Sequence, residues 1–436
     1  MTTLEAEPRA STPVPAGRGR WRITAHRRVF GPAGYTYGTP LPTWQQTIIS
    51  ELDSAHSRRL TKAFGGTAEF VFALDGRAPD AATVQEFASE VYAWRWSTQL
   101  GRDVCMFRGI IQQSEDTVTP ERHEVTFTCH DYLSMLGRRI YTQNTPWQPS
   151  NMEQDTVISW SLFFANFAQS IGGTTLFPAS TLPLAHWNVA PDGTNRGASG
   201  QLRTRAIFGN TSWLDVIDAM SKVIGGFDYD VLPEPEAGRQ GFTAGLDALR
   251  NFYPYQGTDR SGTLAFVYGS NVASVQRTVT SVDYANYVRL LGNNANSDPN
   301  AAQLSSDAWT TDATTSQPTV GLWQLAVNEG DVSLAGTMAE RAQGELAIAS
   351  QPAPAYTLGL MPDAYTYGNP SIGDNVPLVV QSGRLNISTL LRVLGIQYDV
   401  GDDGQETVSL TVGRPQPRLR TAFHRITRDI NALTRR

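Results

Sequence analysis

The sequence predicts a mainly β protein with some α: strand-rich regions toward both ends of the body, helices concentrated between them, and a separate helix at the C-terminus. Three observations carry this reading. Runs of β-branched and aromatic residues bounded by Gly and Pro recur early, as in 67–74 and 91–96, and again late, as in 390–400 and 407–412. Stretches with helical periodicity and glycine stops lie between them. After Pro415 and Pro417, apolar residues return at helical spacing. With 436 residues, and roughly 150 residues per domain, two to four packed units are expected.

Taken in order, residues 67–74 read Thr-Ala-Glu-Phe-Val-Phe-Ala-Leu and 91–96 read Val-Tyr-Ala-Trp-Arg-Trp, both strands, with a short helix expected over 81–90. Residues 103–113 and 122–129 form the arms of a hairpin around a polar turn, 114–121, that contains Pro120. The second arm alternates, with Val125, Phe127 and Cys129 on one face and Thr126, Thr128 and His130 on the other, so one side is buried. A turn centred near Thr117 sets Cys105 opposite Cys129 as thiols. Asp131 is placed to cap a helix over 132–139, with Leu133 and Leu136 inward and Arg138 and Arg139 at its negative end.

A second helix opens at Asp155 or Thr156 and runs to Ile171, stopped by Gly172-Gly173; being apolar on nearly all sides, it is expected between layers. A third starts after Asn210 or Thr211, carries the stripe Trp213, Leu214, Ile217, Met220 and Ile224, and ends at Gly225-Gly226. A strand follows over 227–232. Residues 233–262, rich in Gly and Pro, and 293–319, mainly Asn, Ser, Thr, Asp and Ala, read as long surface loops. Further strands are expected at 264–268, 272–280 and 287–291, a helix at 335–350, and strands at 355–360, 376–380, 390–400 and 407–412. Asp402-Asp403-Gly404 forms the turn between the last two.

Composition narrows the function classes. No stretch approaches the ~18 apolar residues of a spanning helix, and no export signal is expected after Arg27-Arg28, where Val-Phe-Gly-Pro-Ala-Gly follows. Two cysteines make neither a disulfide scaffold nor a zinc module, and fit a reducing compartment. Residues 1–28 carry six Arg against two Glu and residues 414–436 seven Arg against one Asp, leaving a body of 22 basic and 38 acidic residues. Such a body repels nucleic acid. Only Lys62 and Lys222 of the 35 basic residues are lysines, the bias of a GC-rich genome, which discounts arguments from Arg clusters.

The patterns of catalysis are weak. The chain has no phosphate loop, dinucleotide fingerprint, nucleophile elbow or His-Glu-x-x-His helix, and its histidines, at 26, 56, 123, 130, 186 and 424, never fall at ligand spacing. Neither a metal nor a cofactor is expected. In Cys129-His130-Asp131, adjacent strand residues face opposite ways, so a buried Cys beside an N-cap Asp is the better reading than a nucleophile with its base. Asp228 and Asp230, and the group Asp399, Asp402, Asp403 and Glu406, follow no calcium pattern and read as solvated edge and turn carboxylates. The pairs Glu121/Glu124 and Glu234/Glu236 are glycosidase acids only if space brings them to the right separation. Trp94, Trp96 and Trp213 sit in apolar periodicities where core packing is the default.

The C-terminal segment carries the sharpest candidate residues. Leu419, Phe423, Ile426, Ile430 and Leu433 recur at intervals of 4, 3, 4 and 3, the seam of a coiled coil, with Arg and Thr on the flanks. So short a seam needs help from a packed body. It serves either trimer association or docking on its own domain.

The order of motifs resembles the hub proteins of phage tails: the trimeric baseplate hub of contractile tails and its counterpart at the tip of long non-contractile tails, often called a minor tail protein. The residues that carry this are Phe70-Val71-Phe72; Met106-Phe107-Arg108-Gly109-Ile110-Ile111 and its hairpin; Val125 to Leu133 leading to Arg138-Arg139; the Trp213 helix with Asp228-Tyr229-Asp230; Tyr284-Ala285-Asn286-Tyr287-Val288-Arg289; and Gly373-Asp374-Asn375-Val376. Together they cover most of residues 60–415.

The resemblance implies a homotrimer whose subunits each contribute two tail-tube-like β-barrel domains to a pseudo-sixfold ring, adapting a sixfold tail to a threefold tip. It divides the chain into a basic segment (1–28), a first tube-like β-barrel region (29–145), a mixed α/β middle domain (146–275), a second tube-like region (276–414) and the C-terminal amphipathic helix (415–436). The implied partners are the distal tail protein ring, the C-terminal end of the tape-measure protein and downstream tip or fibre proteins, with DNA passing transiently through the lumen. The implied place is the virion's tail tip, after assembly in the host cytoplasm. No appended enzyme domain is expected after the last strand, so an architectural, non-enzymatic role is expected. The alternative is a cell-wall glycan-binding or glycan-cleaving tail protein.

Overall fold

The computed structural model describes residues 21–27, 48–97, 101–143, 145–166, 170–171, 174–175, 185–186, 200–204, 206–221, 227–232, 251–279, 281, 284–292, 304–316, 319–329, 335–350, 354–362, 364–365 and 368–413. The expected C-terminal helix, with Leu419, Phe423, Ile426, Ile430 and Leu433, lies outside these residues, as do Gly172-Gly173, Gly225-Gly226 and Glu234/Glu236.

The chain forms two compact units: one runs up to Val275 and resumes over Thr357–Val412, and the other includes Gln276–Tyr356. The first begins with β1 (Trp21–Arg27), β2 (Ile48–Glu51), β3 (His56–Ala63), β4 (Glu69–Asp75), β5 (Ser89–Ser97), β6 (Arg102–Val118) and β7 (His123–His130), then α1 (Tyr132–Leu136). A mixed stretch follows: β8 (Met152–Glu153), α2 (Gln154–Asn166), β9 (Ser170–Ile171), β10 (Thr174–Thr175), β11 (Ala185–His186), β12 (Leu202–Arg203), α3 (Trp213–Ser221), β13 (Asp228–Leu232) and β14 (Asn251–Tyr255). After β15 (Phe266–Val267) and β16 (Val272–Thr278), the second unit holds β17 (Tyr287–Gly292), β18 (Ser305–Trp309), α4 (Thr311–Thr314), β19 (Gln324–Glu329) and α5 (Ala335–Ala349). The chain returns to the first unit with β20 (Ala355–Leu360), β21 (Asn375–Ser382), β22 (Leu385–Val400) and β23 (Glu406–Gly413).

The fold is mainly β with some α. Early and late strands join one 13-stranded sheet in the order β16-β20-β23-β22-β3-β4-β7-β6-β5-β1-β2, with β21 on β22 and β15 on β21. The seam between early and late strands is the antiparallel pairing of β22 with β3, Tyr398 opposite Leu60. Alternation places Phe70 and Phe72 of β4 and Val125, Phe127 and Cys129 of β7 in the core, as the period-2 pattern requires. A second core gathers α1, α2, α3, β13 and β14 around Trp213, whose ring stacks on Phe164 at 5.5 Å between centroids. In the other unit, β17 lies between β18 and β19, and Val288, Leu290 and Ala308 pack on Met338, Ala342 and Leu346 of α5.

Several expectations need correction. The segment 1–28 is not only a basic tail, because Trp21–Arg27 is a strand of the large sheet with Trp21, Ile23 and Ala25 buried. The helix expected over 81–90 shrinks to a 3-10 turn, Ala81–Thr83: Val84 turns extended and the Ser89 hydroxyl accepts the Gln85 N–H to close a loop. The range 276–414 does not stay together, since 276–356 folds around its own core while β20–β23 rejoin the early strands. Residues 251–255 are a strand, not a loop; among the described residues β11 pairs with Asn251 and Phe252, so the missing N–H of Pro254 falls beyond that pairing. Residues 305–309 are likewise a strand, held by β17. The helix from Asp155 or Thr156 ends at Asn166, and Ser170–Ile171 is a strand.

The hairpin also differs. Polar residues through Val118 stay in β6, and the turn is closed by Thr119, whose N–H donates to the Arg122 carbonyl at 2.7 Å. With a register shift between Ile111 and Gln113, Cys129 faces Ile111 and Cys105 faces Trp94 on the other neighbour. Both cysteines are buried thiols.

Candidate assembly site

Within the first unit the large sheet curls until strands far apart in its order touch. Glu406 of β23 accepts from Trp21 Nε1 of β1 at 2.7 Å and from Arg95 Nε and Nη2 of β5 at 2.9 and 2.6 Å, although six strands lie between β23 and β1. The Trp21 ring lies 6.4 Å from Phe70 and edge-on to Tyr398 at 5.8 Å, with the Arg95 guanidinium over the Tyr398 ring. Burial works against the Arg95 charge, and the Glu406 carboxylate more than restores it, so the guanidinium titrates above its ordinary range. Burial also pushes the Tyr398 hydroxyl well up. Facing inner surfaces bridged by a bidentate pair give this sheet a barrel-like interior.

A second polar device explains the Met106-to-Ile111 motif. Arg108 Nε donates to Glu90 Oε1 at 2.5 Å, both side chains are 1% exposed, and the Tyr132 hydroxyl donates to the same oxygen at 2.6 Å. The guanidinium carbon sits 4.6 Å from the Tyr92 ring centroid. At Gly109 a β-carbon would stand 2.3 Å from the His130 carbonyl oxygen, so only glycine permits this approach of backbones.

Cys129-His130-Asp131 is not a nucleophilic centre. Burial pushes the Cys129 thiol far up and the His130 imidazole down. Asp131 accepts from Leu133 N–H at 3.0 Å, capping α1, and from Ala68 N–H at 2.9 Å; burial pushes its carboxyl up to about 8 against those two bonds.

The Gly373-to-Val376 motif is a third device. Asp374 accepts from Thr258 N–H at 2.8 Å, Arg260 Nε at 2.9 Å and Ser371 N–H at 3.0 Å. Gly373 has φ +89°, a left-handed conformation that favours glycine, and Arg392 Nε donates to its carbonyl at 2.8 Å. Arg392 also pairs with Asp228, which is therefore a buried ion-pair carboxylate and not a solvated edge group. Sequence reasoning missed this because the two residues are 164 positions apart.

The other carboxylates separate by role. Asp402 accepts from Ser57 N–H and Asp403 from Gln405 N–H, while Glu124 pairs with Arg122. Among the described residues no group of three or more His, Cys, Asp or Glu side chains is placed to hold a metal ion. Trp94 and Trp213 are buried and Trp96 is half-buried. Among the described residues no helix is long and apolar enough to cross a membrane.

The fold is shared with phage tail proteins. Over 91% of this chain and 99% of the other, the structure is similar to the 43 kDa tail protein of prophage MuSo2 from Shewanella oneidensis, with a TM-score of 0.52 and 11% identity. The tail protein from Neisseria meningitidis MC58 matches over 90% of this chain and 96% of its own, with a TM-score of 0.51 and 10% identity. No protein-family model matches the sequence, and no curated protein matches it.

Proposed function

We propose that this chain is a structural protein of the phage tail tip: a homotrimeric hub that closes or extends the tail tube, adapts sixfold to threefold symmetry and anchors tip or fibre proteins. The observation that carries the reading is a fold likeness to two tail proteins that runs nearly end to end in all three chains. The curled sheet supports it, since Trp21, Arg95 and Glu406 hold early and late strands in one barrel-like body, the element from which tube-like rings are built. In this reading β1–β7 supply the first tube-like region and β20–β23 the second, around the mixed α/β core of residues 132–255. The subunit sits below the distal tail ring, meets the end of the tape-measure protein and stays in the virion after assembly in the host cytoplasm. The acidic body, 22 basic against 38 acidic residues, suits a conduit through which DNA passes without sticking.

The role is architectural and not catalytic. A glycan-binding or glycan-cleaving tail protein is the competing reading; it would use exposed aromatic platforms, and while Trp94 and Trp213 belong to cores, Trp160, Trp309 and Trp323 are exposed. Native mass spectrometry with and without cell-wall muropeptides separates the two. A stable trimer that takes up no glycan is expected, whereas a monomer holding a glycan sinks the hub proposal.

A further inference from the structure

We propose that the outer half of β6, residues 113–118, is an open strand edge on which β16 of a second copy of this chain adds as a further strand. This contact rests on the hub reading, which supplies the second copy. β6 is longer than the strand beside it. On one side its pairing with β7 continues from Ile110 opposite His130 out to Val118 opposite His123. On the other side pairing with β5 stops where Glu90 faces Ile110. The Phe87 N–H then donates to the Ile111 carbonyl at 2.9 Å, and among the described residues no strand lines β6 beyond that point. Gln113 and residues 115–118 are exposed. Backbone N–H and C=O groups along such an edge are a template for another strand.

The direction of the arm is fixed. Gln112 is the extra residue of a β-bulge, since Ile111 faces Cys129 and Gln113 faces Thr128. Its amide is held at both ends: Nε2 donates to Ser134 Oγ at 2.6 Å, and Oε1 accepts from Arg138 at 3.0 Å. Ser134 of α1 and Arg138 just past it therefore set the angle at which the arm leaves the sheet. Farther out, the Ser114 hydroxyl donates to Glu86 at 2.5 Å, and the His123 ring lies 3.0 Å from Asp116 across the hairpin. An edge fixed in advance loses little conformational freedom when paired.

Charge and length identify the occupant. β16 stands at one end of the large sheet, where β20 is its neighbour among the described strands. Val272 is buried and Val275 half-buried, and the rest of β16 is exposed. Its seven residues match the length of 113–118, and they include Arg277 and no carboxylate. The β6 edge carries Glu115 and Asp116, with Glu86 beside it, so the two edges are complementary in charge. β2, at the other end of the sheet, is four residues long and carries Glu51, a poorer match on both counts. Two different edges that meet head to tail repeat the contact from copy to copy, and a suitable rotation closes them into a ring.

Hydrogen exchange of the full-length protein, read by mass spectrometry on the oligomer and on the chain diluted until it separates, tests it. Amides within 113–118 and 273–278 are expected to exchange about tenfold or more slowly in the oligomer than in the separated chain. Glu115→Arg and Arg277→Glu, both surface changes, each weaken association by about fivefold, and the double variant recovers it. An oligomer whose 113–118 amides exchange as fast as those of the separated chain overturns the pairing and leaves the hub reading standing. Slow exchange of 113–118 already in the separated chain overturns it as well, because the edge is then covered within one copy. Protection of 113–118 without 273–278, or a double variant no better than the single ones, overturns β16 as the occupant in favour of a different strand. A chain that stays monomeric at every concentration overturns the hub reading together with this contact, and native mass reports that outcome separately.

Discussion

Arg108→Leu destabilises the first unit by about 3–5 kcal/mol, the range for breaking a buried ion pair by removing one partner. The reason is desolvation. Glu90 and Arg108 are each 1% exposed, so removing the guanidinium leaves a carboxylate in a medium that solvates it poorly, with the Tyr132 hydroxyl still donating. Replacing both partners, as Glu90→Gln with Arg108→Leu, removes the buried charge as well and recovers much of the loss. Denaturant unfolding of the single and double variants measures this. A loss below about 1 kcal/mol for Arg108→Leu would show that the pair is already compensated elsewhere. The effect reaches beyond β5 and β6, because Tyr132 starts α1 and so ties the mixed core to the sheet through the same carboxylate.

Asp374→Ala is expected to lose about 1–3 kcal/mol, the cost of a buried donor left without an acceptor. The buried Ser371 N–H loses its acceptor, while the exposed Thr258 and Arg260, 19% exposed, regain water in part. Asp374→Asn is nearly as harmful: one oxygen can still serve Thr258, but the amide nitrogen would face the donors Arg260 and Ser371. Faster amide exchange at Thr258 and Ser371, with β4 and β7 unchanged, checks the local origin of the loss. Full rescue by Asn would contradict this assignment of donors.

Much of the fold is written in local patterns. The alternation of Val125, Phe127 and Cys129, the Asp131 cap with Leu133 and Leu136 inward, and the Trp213, Ile217 and Met220 positions of the third helix's stripe all report periodicity within a few residues, and each is found where the pattern puts it. Partners set by topology leave no such trace. Glu406 finds Trp21 across 385 positions and Arg260 finds Asp374 across 114, and no spacing rule joins them. The cysteine register failed for a related reason. The exposed arm of β6, from Ser114 to Val118, needs no apolar alternation to remain paired, so its polar composition reads as a turn. In β14, pairing with β13 overrides a prolyl residue and a breaker-rich neighbourhood. The motif residues Gly109, Asp374 and Asn286 were visible as a pattern, while their work of close backbone approach and carboxylate or amide anchoring became visible only in space.

Cryo-electron microscopy of the assembled particle tests the central claim most directly. The account predicts three copies of this chain around the tail axis at the distal end of the tube, their curled sheets forming a continuous wall. Finding the chain off that axis, or in a copy number other than three, would contradict it.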